Sequence, residues 1–272
     1  MEPKLQRRVQ RYGWDRASSS YSTFWSKQLR PAHEASVRLS NPQVGEHVVD
    51  IACGGGEVTF DVADRVGATG HVLGLDISEK MIAAAHAEAT SRGSSNTSFR
   101  RSDAESLDCE DASFDLALCS LGLMYVPEPA VAVAEMHRAL RPSGRIAVSV
   151  WGERRHCGWA ELFPIVDRRV TSDVCPMFFF LGAPGVIEAT LENAGFVDVN
   201  VTRLRVDLAY GDASEAIGAA FLGGPVALPY GRFGDDDRRD VEREYLDSIA
   251  DFRKGAGYLI PGEFVIATAV RG

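Results

Sequence analysis

The residues best placed to do chemistry are three acids along one stretch of chain. Asp50 ends the apolar run Val48-Val49 and is followed, after Ile51-Ala52-Cys53, by Gly54-Gly55-Gly56. Asp76 ends a second apolar run, Val72-Leu73-Gly74-Leu75, and Asp103 sits in Ser102-Asp103-Ala104-Glu105. A strand, a glycine turn, a helix and a second strand tipped with an acid form one nucleoside-binding unit. The glycines let main chain approach a ligand closely, and the next helix points its N-terminus at it. A dinucleotide site requires Gly-x-Gly-x-x-Gly. Aligned on Gly54 and Gly56 the third position is Thr59, and aligned on Ala52 and Gly54 it is Glu57. That fingerprint is therefore incomplete. Asp50 and Glu57 repel a pyrophosphate, whereas a ligand with an amino group or a sulfonium cation is welcome there.

The elements around these acids alternate. Strands are predicted at 47–51, 71–75, 97–100, 114–119 and 145–151, and helices at 58–66, 79–91 and 129–141. Ser78 is the expected N-cap of the second helix, with Met81, Ile82 and Ala85 on one face. Near-continuous apolar strands alternating with helices predict an α/β parallel sheet covered by helices. Residues 4–40 read as one or two helices, with Ser18-Ser19-Ser20 as a break and Pro31 opening the second. After Trp151 the rhythm changes. A helix at 185–194, strands at 198–208 and 263–270, and a helix at 235–253 are expected. Three parts follow: an N-terminal arm or lid (1–40), a ligand-binding core (41–152) and a C-terminal part (153–272), together one compact domain.

Composition narrows the function classes. The net charge of −9 disfavours tight binding to nucleic-acid phosphates. Residues 1–40 nevertheless carry +5, leaving −14 elsewhere. Helix solvation and pairing within the chain, or a grip on an acidic substrate, both fit such an arm. The five cysteines, 53, 109, 119, 157 and 175, are odd in number and lack Cys-x-x-Cys spacing, so neither a disulfide framework nor a zinc site is expected. Cys53 and Cys119 read as small packing residues, and thiol chemistry at Cys109, Cys157 or Cys175 is a remote alternative. The uncharged stretch 174–187 is too short and too rich in proline and glycine to span a membrane. The charged first ten residues lack the apolar run of a secretory signal, so the cytoplasm is the expected compartment.

Four segments, in order and spacing, resemble the class I S-adenosylmethionine-dependent methyltransferases, on the ubiquinone/menaquinone-biosynthesis-like (methyltransferase type 11) branch. They are Val49–Gly56, Gly74–Ser78 with Met81, Ser102–Glu105, and Ser113–Leu118 followed by Leu140-Arg141-Pro142-Ser143-Gly144-Arg145. Ala52 and Gly55 stand where that family usually has Gly and Thr. The resemblance is strong over about residues 45–151. It implies a three-layer, Rossmann-like, doubly wound and mostly parallel sheet, closed by a C-terminal antiparallel strand, with helical lid insertions.

The resemblance also implies roles. S-adenosyl-L-methionine is the cofactor, with Asp76 on both ribose hydroxyls and Ile77 and Met81 beside it. Asp103 faces the adenine amino group and Ala104 the ring, although Asp103 in this setting also suits a local turn cap. Ala52, Gly54 and Gly56 belong to the glycine loop. Asp50 either orients that loop or meets the amino end of the ligand. Tyr21 either closes over the methionine carboxylate or packs in the core, and Ser120 faces the centre of the site. No metal is implied. Methyl transfer is an in-line displacement whose demands are alignment and desolvation. A general base is needed only if the acceptor loses a proton, and Tyr125 and His156 are the candidates. Aromatic residues in 11–30, 151–182 and 210–256 suit a small, partly apolar acceptor, at carbon, oxygen or nitrogen. A macromolecular methyltransferase acting on RNA or protein, a nicotinamide oxidoreductase and a non-catalytic adenosyl-ligand-binding protein are the alternatives.

Overall fold

A computed structural model describes residues 3–170 and 177–272. Cys175 lies outside the described residues. The chain opens with α1 (Pro3–Ser40), then β1 (His47–Ile51), α2 (Glu57–Val66), β2 (His71–Asp76), α3 (Glu79–Arg92), β3 (Thr97–Arg101) and β4 (Phe114–Ser120). A short turn at Leu123–Tyr125 leads to α4 (Pro129–Ala139) and β5 (Leu140–Trp151). The C-terminal part adds α5 (Leu162–Asp167), α6 (Val186–Asn193), β6 (Phe196–Tyr210), α7 (Ala213–Phe221), α8 (Ala227–Tyr230), α9 (Asp235–Ser248), β7 (Arg253–Lys254) and β8 (Gly257–Arg271).

The sheet runs β3-β2-β1-β4-β5-β8-β6, with β7 paired to β8. β1 to β5 are parallel. β8 is antiparallel to both β5 and β6. This is the expected three-layer α/β arrangement with an antiparallel end. The strand order reverses between β1 and β4, so a crevice opens beyond their C-terminal ends. Successive side chains of β1 explain its uniform apolarity. Val48 packs with Val58, Val62 and Val66 of α2. Val49 and Ile51 join the larger core on the other face, with Ala132, Val133 and Met136 of α4.

The N-terminal expectation is corrected in one respect. Residues 3–40 form a single helix of 38 residues, with Pro31 inside it. The serines do not break it: Ser18 Oγ donates to the Asp15 carbonyl at 3.0 Å, within the helix. Tertiary contacts hold the rod on the N-terminal side of the proline. Trp25 Nε1 donates to Ala219 O at 3.0 Å. The Gln28 side-chain amide donates to Ala209 O at 2.6 Å and accepts from Ala209 N at 3.0 Å, pairing with β6 as a strand would. These contacts outweigh the missing Pro31 N–H. Three cations of the basic arm are paired within the chain: Arg7 with Glu105, Asp103 and Glu128, Arg11 with Glu79, and Arg30 with Glu34. No helix among the described residues is long and apolar enough to cross a membrane.

Candidate cofactor cleft and acceptor chamber

Strained backbone marks the switch point. Ala52, just after β1, and Leu121, just after β4, have positive φ of 56° and 58°. Non-glycine residues in this region cost energy and cluster at functional sites. The two loops touch: a Cβ on Gly122 would lie 2.4 Å from the Ala52 Cβ. That contact explains why both positions are small. At Gly56 φ is 94°, and a Cβ would meet the Phe60 ring at 2.7 Å. Gly56 thus turns the chain into α2 and does not line the cleft.

An open cleft lies above these loops. Its walls bring together Tyr21, Ala52, Gly54, Asp76, Ile77, Met81, Asp103, Ala104, Ser120 and Tyr125. Asp76 is buried at its floor. Its Oδ2 accepts from Gly54 N at 2.9 Å and its Oδ1 from Ser78 N at 2.8 Å. Each oxygen keeps a free lone pair, the provision two vicinal hydroxyls need. Burial raises this carboxyl to about 6, opposed by those two main-chain bonds. Ser78 caps α3 as expected, accepting from Met81 N at 3.1 Å while donating to Asp15 Oδ1 of α1 at 2.7 Å.

Asp103 uses one oxygen as a local cap: Oδ1 accepts from Glu105 N at 3.0 Å, while Oδ2 lies 3.5 Å from Arg7 Nε. Arg7 also bonds the buried Glu105, whose other oxygen accepts from Glu128 N at 2.7 Å. Arg7, Gln10 and Trp14 of α1 close this end of the cleft. Trp14 is one of the aromatic residues expected from 11–30, whereas Arg7 and Gln10 were not singled out; the pairing within the chain expected of the basic arm is what Arg7 shows.

Asp50 lies beyond the main cleft, in a small annex it shares with Tyr21, Ala52, Gly54 and Ser120 and lines with Glu57 and His33. It is 1% exposed and accepts from Thr59 Oγ1 at 2.6 Å. Burial raises its carboxyl to about 7, helped by the nearby Asp76 and Glu57. Burial lowers the neighbouring His33 to about 4, so it is neutral and offers no compensating charge. This annex would be relieved by a cation. Ser120 Oγ pairs with Ser149 Oγ at 3.0 Å.

A second, smaller chamber adjoins the cleft and shares Trp14, Tyr21, Leu121 and Tyr125 with it. Its remaining walls are Trp25, Leu29, Met124, Trp151, Trp159, Leu162, Phe178 and Gly223-Gly224-Pro225. Tyr125 stands edge-on to Trp14 at 4.9 Å and to Phe178 at 5.4 Å, so it forms the partition between the two spaces.

His156 is not brought to either chamber. Its Nδ1 lies 3.0 Å from Glu263 Oε2, a buried carboxylate also held by Arg203 at 3.0 Å. His156 therefore helps fasten the loop after β5 to β8. Cys53, Cys119 and Cys157 are buried free thiols, the first two at strand ends as expected. Burial raises each of them, opposite to what thiol chemistry requires.

A parallel sheet with an acid-floored cleft at its switch point defines a Rossmann-like nucleoside-binding protein. Comparison with known proteins makes this specific. Residues 42–162 match a family described as a methyltransferase domain. Nocamycin O-methyltransferase of Saccharothrix syringae is 30% identical over 244 residues, 83% of this chain and 85% of that protein. The demethylmenaquinone methyltransferase of Listeria monocytogenes serotype 4a is 31% identical over 135 residues, 50% of this chain and 57% of that protein. The chain thus spans little more than half of that second relative. Haemonchus contortus phosphoethanolamine N-methyltransferase 2, solved with S-adenosyl-L-methionine, superposes with a TM-score of 0.61 at 18% identity, covering 94% of this chain and 57% of that one. The chain belongs to the class I S-adenosylmethionine-dependent methyltransferases, on the ubiquinone/menaquinone-like branch, and S-adenosyl-L-methionine is its cofactor.

Proposed function

We propose that the cleft holds S-adenosyl-L-methionine and that the aromatic chamber beside it holds a small-molecule methyl acceptor. The bound cofactor supplies an electrophilic methyl group on a positive sulfur. Asp76 accepts from the ribose hydroxyls, with Gly54 N and Ser78 N fixing the carboxylate in place. Ile77, Met81 and Ala104 flank the adenine, and Asp103 faces its amino group. Asp50, across the annex from Tyr21 and Ser120, compensates the cationic amino-acid end. Gly56 shapes the loop from outside the cleft, and the strained Ala52 forms part of the cleft wall. Tyr125 and Tyr21, on the shared wall, exclude water and align the acceptor, and alignment is the main demand of the reaction. Where the acceptor loses a proton, Tyr125 is placed to take it. His156, bound to Glu263, is given no catalytic role.

The reading divides the chain into a roof (1–40), a cofactor core (41–152) and a C-terminal part (153–272) that completes the sheet and the acceptor wall. A cytoplasmic enzyme that does not bind nucleic acid is part of the same reading, supported by the net charge of −9 and by the intramolecular pairing of its basic arm.

The observation that carries the proposal is the buried Asp76 carboxylate with both main-chain bonds made and lone pairs left for a diol. Calorimetric titration tests it. The Asp76→Ala variant, with an unchanged circular dichroism spectrum, is expected to lose cofactor affinity by more than a hundredfold. Unchanged affinity overturns the assignment.

A further inference from the structure

One carboxylate of α1 serves a helix other than its own. Asp15 Oδ1 accepts from Ser78 Oγ at 2.7 Å and from Lys80 N at 3.2 Å, partners 63 and 65 residues away. The first N–H groups of a helix have no partner within it. At the start of α3, Ser78 Oγ takes Met81 N at 3.1 Å and Asp15 takes Lys80 N. An N-cap is ordinarily one local side chain. Here the work is shared with a carboxylate from α1, whose negative charge suits a helix N-terminus. Asp15 is not part of the cleft wall. It lines a separate surface groove beside Lys80.

The bond to Ser78 reaches further than the cap. Ser78 is fully buried. Its hydroxyl has one proton to donate, and Asp15 receives it, which leaves the lone pairs for Met81 N. The main-chain N–H of the same residue holds Asp76 Oδ1 at 2.8 Å. A line of bonds therefore runs from Asp15 through the Ser78 hydroxyl and the Ser78 main chain to the Asp76 carboxylate. The other oxygen of Asp76 is held by Gly54 N of the glycine loop, which has no bond to Asp15. Removing Asp15 leaves a buried hydroxyl proton without its acceptor, a costly state that Ser78 relieves only by turning. Hydrogen bonds weaken steeply with misdirection, so a turn of Ser78 is felt in where Asp76 aims its free lone pairs.

We infer that Asp15 is a positioning residue for the cofactor, aiming the Asp76 carboxylate at the ribose hydroxyls through Ser78. This rests on Asp76 being the acceptor of those hydroxyls. Preference for a ribose diol over a deoxygenated sugar is then set in part by a residue outside the cleft, because a hydroxyl-binding site discriminates only as well as its acceptor is aimed.

The probes are S-adenosylhomocysteine and its 2′,3′-dideoxy analogue, each titrated calorimetrically into the protein. Their affinity ratio reads the two hydroxyls alone. Wild type should prefer the diol about a hundredfold, as expected of two charge-assisted bonds. Asp15→Ala should lower the ratio to about tenfold and leave affinity for the dideoxy analogue unchanged. Asp15→Asn keeps an oxygen for both donors and should keep the wild-type ratio. If Asp15→Ala does not fold, Ser78→Ala cuts the same link from its other end and is expected to lower the ratio likewise. A wild-type ratio in the severed variant, including one in which both ligands weaken alike, overturns the Asp15 assignment and leaves the Asp76 reading standing. A wild type that binds the two ligands equally, or an Asp76→Ala variant that keeps the preference, overturns the Asp76 reading and the inference with it.

Discussion

Asp50→Asn isolates the electrostatic demand of the cofactor site. Burial raises Asp50 to about 7 from 3.8, and Asp76 to about 6 from 3.8. A carboxyl raised in the folded state stabilises the fold fully below its unfolded value and loses that contribution as pH rises through its folded value. For Asp50 the window is pH 4 to 7. The shift is worth of the order of 4 kcal/mol at 1.36 kcal/mol per pH unit. The amide keeps an oxygen for the Thr59 hydroxyl, which sits at 2.6 Å, and cannot ionise. The ligand-free variant should therefore match wild type near pH 4 and exceed it above pH 7. Binding reads the same linkage from the other side. At pH 6 both carboxyls of the free protein are partly protonated, while an α-amino group is still charged. A cationic, hydroxyl-bearing ligand drives both to ionise. Calorimetry in buffers of different ionisation enthalpy should count more protons released by wild type than by Asp50→Asn, the difference approaching one proton. Wild-type affinity should rise between pH 5.5 and 7, and the variant's should rise less. Equal proton counts in the two proteins would refute the assignment of Asp50 to the cationic end.

Two further predictions concern the clasps around the site. Arg7→Gln leaves the buried Glu105 without its cation and should speed cofactor release about tenfold in stopped-flow displacement; an unchanged rate means that the clasp does not guard the cleft. Glu263→Gln weakens the ties to His156 and Arg203 and should lower stability by about 2 kcal/mol in urea unfolding, with cofactor affinity intact. Lost affinity in that variant would show that the His156 loop does reach the cleft.

The core was legible because its signals are local. Apolar runs ending in Asp50 and Asp76 gave strands β1 and β2 to within a residue, and Ser78 capped α3 as its type suggests. What escaped is non-local. The closure by Arg7 depends on Glu105, 98 residues away. The position of His156 depends on Glu263, 107 residues away. Neither pair has a spacing that a motif would reveal. The serine run and Pro31 carry helix-breaking tendencies, overridden by the seating of Trp25 and Gln28 on α7 and β6. Tertiary contact routinely outweighs such tendencies.

The length of α1 links the two spaces. One rod contributes Arg7, Gln10 and Trp14 to the cofactor cleft, and Trp14, Tyr21, Trp25 and Leu29 to the acceptor chamber. Its far end, from Ala32 to Ser40, is largely buried against the sheet. Pro31 is the step where the helical ladder lacks a rung, a natural flexing point. Any displacement of the rod about that step would disturb the walls of both spaces together.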